Sequence, residues 1–474
     1  MPAPRKPFNR GGGPPSRPGR PGQRPPQQGR TRRPPPRQAS ARERVLELVA
    51  RQTPRYPDLL VTEPETNGLD RRDGALAHAI YDIITRRWLT IEHIARRILR
   101  RPWEDSHPAF RATILVGAAQ ILFLDRVPPH AAVSEAVDWA KDHGGLAASR
   151  AINAVLRQVV DLAGERERRD TWTDQLDELP LSDGTALVLT EPILPNDPID
   201  RLAAATSHAP SLLRSWLRSM PLREVRGVAL HGIAHPPIIL NTAHAQSPLP
   251  ETAVPHTVPG HHVFTGAHEE LLDTLSQRSD LWVQDPASSL AVGSVADLRP
   301  RVIIDPCAGL GTKTRQLQAT FPNASIIASD VDRLRYATLS KVFSASDQVR
   351  VIPYERLREH AGTAELILLD VPCSNTGVLA RRPEARHRFD RERLESLTGV
   401  QRQIIADSIP LLASAGRILY STCSLDAAEN EEQAKWAARW HSLSVSRESR
   451  RRPEGGPGQP PERYTDGAYS VLIA

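Results

Sequence analysis

Cysteine occurs three times in 474 residues, methionine twice, and aromatic side chains make up only 5% of the chain. So small and odd a cysteine count excludes a disulfide-stapled scaffold and points to a reducing compartment, so a cytoplasmic protein is expected. Long hydrophobic runs are also missing. The longest mostly apolar stretch is Ala112–Leu124, which contains Gln120 and is bracketed by Arg111 and Asp125. It is too short to span a bilayer. No apolar signal core follows Met1. An integral membrane protein is excluded on these grounds.

Acidic residues are absent from residues 1–40, which hold ten of the 61 basic residues and none of the 55 acidic ones. The net charge of +6 therefore belongs to this tail, and the other 434 residues carry −4. Global basicity cannot serve as an argument for nucleic-acid binding; only local patches can. The tail contains twelve prolines and six glycines and has nothing to bury. It reads as disordered. It is either an arginine arm that neutralises RNA phosphates or a solubilising extension. Its two serines and lack of amphipathic period argue against an organelle transit peptide.

The rest divides into three. Residues 41–165 carry apolar positions at helical spacing, as in Val45, Leu46, Leu48 and Val49, then Ala77, Ile80, Ile83 and Ile84. Ala112–Leu124 is apolar nearly all round, as in a central buried helix. Val127–His130 breaks the chain, a new helix starts at Ala131, and Ala151–Val160 reads as another. About five helices make a bundle domain. Residues 166–230 form a charged, then proline-punctuated connector, helical over Pro210–Met220. From 231 to 474, short β-rich runs alternate with helical stretches: Pro237–Leu240, Val302–Ile304, Ser325–Ala328, Val349–Ile352, Leu366–Leu369 and Arg417–Tyr420. That alternation predicts an α/β Rossmann-like domain with a mostly parallel sheet.

Each cysteine falls just beyond one of these runs. Cys307 lies three residues after Ile304, Cys373 four after Leu369, and Cys423 three after Tyr420. In a parallel sheet the C-terminal strand ends open on one edge, where ligands bind. One cysteine there is most simply a small buried hydrophobe. Three of three predict a shared cleft.

The first loop, Asp305–Thr314, is glycine-rich and leads into a helix beginning near Thr312. It is not a phosphate-cradling P-loop, because the glycines that motif needs are replaced by Cys307 and Thr312. It also lacks the third glycine of a dinucleotide fingerprint, since position 314 is Thr314. The next run ends in Asp330, nineteen residues after Gly311, where a carboxylate can hold ribose hydroxyls. A nucleoside ligand without a cradled pyrophosphate fits, and S-adenosylmethionine is the natural candidate. The other loops read Asp370-Val-Pro-Cys373 and Ser421-Thr-Cys423. A thiolate can add to carbon 6 of a pyrimidine and so make carbon 5 nucleophilic towards a methyl group. A carboxylate bonding the ring at N3 assists, and Asp370 is placed for it; its plainer role would be structural. The two thiols are interchangeable on this reasoning.

These loops resemble the RsmB/Sun/Fmu group of RNA cytosine-5 methyltransferases. Asp305–Thr314 is similar to that family's motif I, Leu369–Leu379 to motif IV, and Tyr420–Leu425 with the trailing Glu429-Asn-Glu431 to motif VI. Gln284–Ser288 resembles the segment before motif I, and Arg126–Ala136 with Ile152–Arg157 resembles the family's NusB-like RNA-binding domain. The resemblance spans residue 41 to the end. It implies that Cys423 is the nucleophile, that Cys373 assists product release, and that Asp370 contacts the base. It further implies that Cys307, Ala308, Gly309, Leu310, Gly311, Thr312 and Lys313, with Asp330, Glu355 and Asp370, hold S-adenosylmethionine. The implied substrate is a cytosine of 16S rRNA, with RNA as partner, no metal, no membrane and a monomeric enzyme.

Two departures stand out. Motif I is usually Cys-Ala-Ala-Pro-Gly-Gly-Lys but here reads Cys-Ala-Gly-Leu-Gly-Thr-Lys. His387 replaces a tryptophan common after motif IV. The surrounding Arg381, Arg382, Arg386 and Arg388 suggest a phosphate clamp rather than a solvated charge run. The competing readings are a non-catalytic RNA-binding or ribosome-assembly factor, whose only support is the altered motif I, and a DNA methyltransferase, which needs no Thr-Cys loop.

Overall fold

The structure is a computed structural model that describes residues 39–474. The expectation of a disordered tail falls outside the described residues. Four long helices build the N-terminal domain: α1 (Ala41–Gln52), α2 (Arg71–Ile98), α3 (Pro108–Phe123) and α4 (Pro129–Ala163). Ser40 starts α1 through a capping box, its hydroxyl accepting from Glu43 N while the Glu43 carboxylate accepts from Ser40 N. Asp70 caps α2 by accepting from Asp73 N at 2.7 Å. Every residue of α3 from Ala112 to Leu122 is buried, as expected of a helix apolar on all sides. The two helices expected after Val127 are both present in α4, which starts at Pro129 and is broken at Gly145, where the backbone is non-helical with φ +74°.

The connector has more structure than its sequence suggests. It holds a small antiparallel sheet of residues 168–169, 178–180 and 186–188. Three helices follow: α5 (Pro198–Thr206), α6 (Pro210–Trp216) and α7 (Leu222–His231). A second antiparallel sheet joins residues 238–241, 253–255, 261–264 and 282–283. The run at Pro237–Leu240 belongs to this sheet and not to the parallel one, which corrects the sequence reading.

Next come α8 (His268–Gln277) and α9 (Pro286–Gly293), then the large sheet. Its strands are β1 (Val302–Asp305), β2 (Ser325–Ala328), β3 (Val349–Val351), β4 (Ala364–Asp370), β5 (Leu412–Thr422), β6 (Val445–Arg451) and β7 (Ala468–Ile473). Their spatial order is β3-β2-β1-β4-β5-β7-β6. The first five are parallel; β7 runs antiparallel to both β5 and β6. Alternate residues face opposite cores. Ile303, Ile326, Leu366, Leu368 and Leu419 pack under α10 (Thr312–Thr320) and α11 (Arg333–Val342) through Leu317 and Leu339. Ile304, Ile327, Ile367, Leu369 and Ile418 pack under α12 (Arg391–Ser408) and α13 (Glu431–His441) through Ile405, Ala434 and Ala437. Strands buried on both faces need near-continuous apolar sequence, and Ala364–Leu369 supplies it. The fold is thus a helical bundle followed by a Rossmann-like domain.

Residues 40–474 form one compact unit. Its junction is held by buried cations. Arg386, 0% exposed, donates to the carbonyls of Arg86, Thr206, Gly232, Leu379 and Pro383. Arg86 donates to Ala234 O and Ala380 O, and Arg87 to Pro180 O and Ala205 O. His387 Nε2 bonds Thr85 O at 2.9 Å, and Arg388 donates to Leu59 O. Arg381 pairs with Asp285 and Asp466. The expected phosphate clamp is therefore a strap between domains: of its four arginines only Arg382 is exposed. Buried guanidinium groups satisfy carbonyls at helix ends, which lone-pair geometry and the helix dipole both favour. Among the described residues no helix is long and apolar enough to cross a membrane, and no cluster of three metal-ligating side chains occurs.

Candidate active site

The C-terminal ends of β1, β2, β4 and β5 meet at one edge of the sheet, with Asp305 paired to Ala328 and Asp370 to Ser421 in register. The cysteines follow these ends as the sequence indicates, and two of them are in contact. Cys373 Sγ and Cys423 Sγ are 3.3 Å apart, and Cys423 Sγ lies 3.2 Å from Asn375 Oδ1. The hydrogen bond with Cys423, then burial, then the charges of Cys423 and Glu429 hold the Cys373 thiol well above its ordinary pKa. Cys307 sits by the first loop. Burial, with Asp305, Asp370 and Asp330 around it, pushes its thiol up.

Backbone contacts fix the two reactive loops against each other. Gly377 N donates to Cys423 O at 2.8 Å, and Gly467 N donates to Gly377 O at 2.8 Å. A Cβ at Gly377 would stand 2.7 Å from the carbonyl oxygens of both Cys423 and Gly467. Only glycine allows this approach. Glu429 is 0% exposed, accepts from Ser374 N at 2.9 Å and from Gln401 Nε2 at 3.1 Å, and also bonds the Ser374 hydroxyl. Burial raises its pKa against these hydrogen bonds. Thr376 Oγ1 accepts from Leu425 N, and Ser424 Oγ lies 3.1 Å from Ser374 Oγ. Glu429, Ser374 and Gln401 were missed as site residues. Glu429 was visible only as the acidic end of motif VI, because nothing in one sequence reports its burial.

Lys313, at the start of α10, turns its side chain towards β4. Its ammonium donates to Asp370 Oδ2 at 2.8 Å, and its side chain is only 14% exposed. Burial pulls this ammonium's pKa down, but Asp370, Cys423 and Asp305 overcome that and raise it, so Lys313 is charged beside the thiols. Asp305, behind it, accepts from Thr314 Oγ1 at 2.7 Å; burial, with Asp370 adding to it, lifts its pKa to about 7.

The β1–α10 turn forms the other half of the site. Gly311 caps α10 with φ +90°, and a Cβ there would strike Phe343 at 2.6 Å. Gly309 has φ +59° and open space where a Cβ would point, and its N–H donates to Asp330 Oδ2 at 2.9 Å. Ala308 N donates to Ser329 O. Leu310 and Val331 stand exposed on either side. An open cradle of this kind, with a carboxylate at the end of β2 and apolar flanks, fits S-adenosylmethionine. The residues Cys307–Thr312 and Asp330 surround it, and altered motif I keeps the turn. Glu355 is exposed in the 3₁₀ turn Tyr354–His360 after β3.

Comparisons with known proteins agree with this geometry. Residues 296–455 match the family model described as 16S rRNA methyltransferase RsmB/F, and residues 40–161 match the NusB family. A ribosomal RNA small subunit methyltransferase B of Vibrio cholerae is 28% identical over 371 residues, covering 77% of this chain and 81% of the relative. One of Xanthomonas campestris is 26% identical over 392 residues, covering 77% and 79%. Among solved structures, PH0851 superposes with a TM-score of 0.67 at 17% identity, covering 91% of this chain and 98% of the other, which shows the shared fold. The methyltransferase domain of this chain is thus similar to the RsmB/F family of 16S rRNA methyltransferases, and its helical domain to the NusB family.

Proposed function

We propose that this S-adenosylmethionine-dependent small-subunit rRNA methyltransferase modifies carbon 5 of a cytosine through a covalent adduct between Cys423 and carbon 6. The observation that carries the reading is the 3.3 Å approach of Cys373 Sγ to Cys423 Sγ beside the Lys313–Asp370 pair. A base with carbon 6 against one thiol then has the second within reach of the same ring.

The cofactor, when bound, supplies an electrophilic methyl group. Gly309, Asp330 and the turn Cys307–Thr312 would hold it. The target base leaves its stack, because its ring carbons are inaccessible within one. Cys423 adds as thiolate to carbon 6, and the electron pair moves to carbon 5, with charge developing at N3. Charged Lys313 stands beside this sulfur, and the Lys313–Asp370 pair offers N–H and carboxylate groups to the polar edge of the ring. Carbon 5 takes the methyl group. The carbon-5 proton passes to water acting as base, the bond from carbon 6 to sulfur breaks, and Cys423 leaves as thiolate, which restores the aromatic ring. Cys373, held protonated, donates its Sγ–H hydrogen bond to that departing sulfur.

A denaturing gel of protein incubated with cofactor and small-subunit rRNA tests this. The Cys373→Ala protein should retain a protein–RNA adduct, and the Cys423→Ala protein should form none. An adduct that requires Cys373 reverses the two roles. Methylated RNA without any cysteine-dependent adduct rules the mechanism out.

A further inference from the structure

One cavity of about 400 Å³ opens beside the paired thiols. Cys373, Ser374 and Asn375 form one wall, and residues from Arg388 to Leu397 form the rest, with Phe389, Arg393 and Ser396 among them. Cys423, Asp370, Lys313 and Gly309 do not line it. Cys373, whose sulfur is 3.3 Å from that of Cys423, is the residue that the cavity shares with the paired thiols. The volume is within the range of about 300–1,000 Å³ that holds small organic groups.

The chemistry of the walls is specific. Ala385, Phe389, Leu394 and Leu397 give apolar surface, Arg388 and Arg393 give two cations, and Asp390, paired with Arg393 at 3.0 Å, gives one carboxylate. The Arg388 Nε is buried without a partner. Arg393 is held in place by a two-pronged ion pair with Asp58, at 2.7 and 2.9 Å, from the loop between α1 and α2. Arg388 donates to Leu59 O of the same loop. An aromatic face with fixed guanidinium groups suits an unpaired nucleotide, whose base packs flat and whose phosphate meets the cations.

We propose that this cavity receives the nucleotide adjoining the target cytosine in the RNA strand, and so contributes to the choice of site. The proposal rests on the rRNA-methyltransferase reading above. Flipping the target base removes its stacking from a neighbour only one phosphodiester away, and that neighbour needs a new surface. The cavity is that surface, and the α1–α2 loop of the helical domain braces it.

Ser396 is exposed on α12 at the cavity wall, so Ser396→Trp fills the space without entering a core. The full-length protein and deproteinised 16S rRNA serve as the system, with Ser396→Ala as control. Filter binding should show the RNA Kd of Ser396→Trp at least ten-fold weaker, with cofactor Kd and melting temperature unchanged and Ser396→Ala like wild type. On RNA fragments made abasic beside the modified cytosine, on the 5′ or the 3′ side, one fragment should cost the wild type the same factor and cost Ser396→Trp nothing more. An RNA Kd for Ser396→Trp within two-fold of wild type overturns the proposal, as does an abasic penalty that is equal in both proteins. A wild type that neither binds nor methylates 16S rRNA removes the parent reading and the cavity's role together, whereas an active wild type with an indifferent Ser396→Trp removes only the latter.

Discussion

Cys373 and Cys423 are fifty positions apart in the chain, and their sulfurs are 3.3 Å apart in the fold. Adjacent parallel strands produce this: β4 and β5 pair with Asp370 opposite Ser421, so the loops that follow them leave the sheet side by side. Gly377 then sets their spacing. Its N–H bonds Cys423 O and its carbonyl accepts from Gly467 N.

Gly377→Ala should therefore damage catalysis more than binding. The added methyl would meet two carbonyl oxygens at 2.7 Å, both backbone, with no flexible side chain to yield. The Cys423 loop must shift, and a misplacement of about 1 Å can cost on the order of 10²-fold in rate. Single-turnover methylation should fall by about that factor while cofactor affinity, measured by calorimetry, stays within a few-fold. An equal loss of both would mean that the loops are not positioned through this glycine.

Lys313→Met separates two roles for one residue. Motif resemblance assigns Lys313 to the cofactor, whereas its ammonium is bound to Asp370. If the lysine acts on thiolate and base, the substitution should lower the methyl-transfer rate by about 10²–10⁴-fold, the usual scale for proton handling, with cofactor Kd little changed. A raised cofactor Kd at normal saturated rate would return Lys313 to the cofactor loop.

The core of the site was legible because local chemistry wrote it. Apolar runs marked β1, β2 and β4, a loop after each of β1, β4 and β5 carried a cysteine, and Gly309 and Gly311 marked the turn before α10. What could not be read was burial and partner choice. Arg381, Arg386 and Arg388 look like an RNA-facing cluster in sequence, since four arginines in eight residues are normally solvated. Their partners are carbonyls and carboxylates brought from residues 59 to 466, which no local pattern reports. The antiparallel strand β6 was missed for a related reason: it is an arginine-rich, exposed edge strand without the apolar signal of its neighbours.

Arg386→Lys should show how much the strap matters. The guanidinium supplies five carbonyls from the helical domain, the connector and the methyltransferase domain. A single ammonium has three donors and cannot span the same fork. The expected loss is about 3–5 kcal/mol, the scale of breaking a buried charged network. Urea denaturation followed by far-UV circular dichroism should change from one transition to two as the domains uncouple. A single transition with an unchanged midpoint would show that the junction is held elsewhere.

His387 makes the same junction sensitive to acid. Its Nε2 bonds Thr85 O, and its Nδ1 is buried without a partner. Burial first, then the neighbouring Arg386, lowers its pKa from 6.5 to about 3. The folded protein therefore keeps the ring neutral at pH 4, where the unfolded chain would protonate it. The unfolded state binds the extra proton, so stability is intact above pH 6.5 and declines as pH falls towards 3. By pH 4 the contribution is about 3 kcal/mol. Asp305, with its pKa lifted to about 7, works in the opposite direction over part of the same range, so the total slope is not diagnostic. The difference between wild type and His387→Gln is. Glutamine keeps an N–H for Thr85 O and has no proton to gain, so the free-energy gap between the two proteins should shift in favour of His387→Gln by about 3 kcal/mol between pH 7 and pH 4. Denaturant titrations at both pH values measure it. Parallel pH profiles for the two proteins would mean that His387 is not kept neutral by the junction.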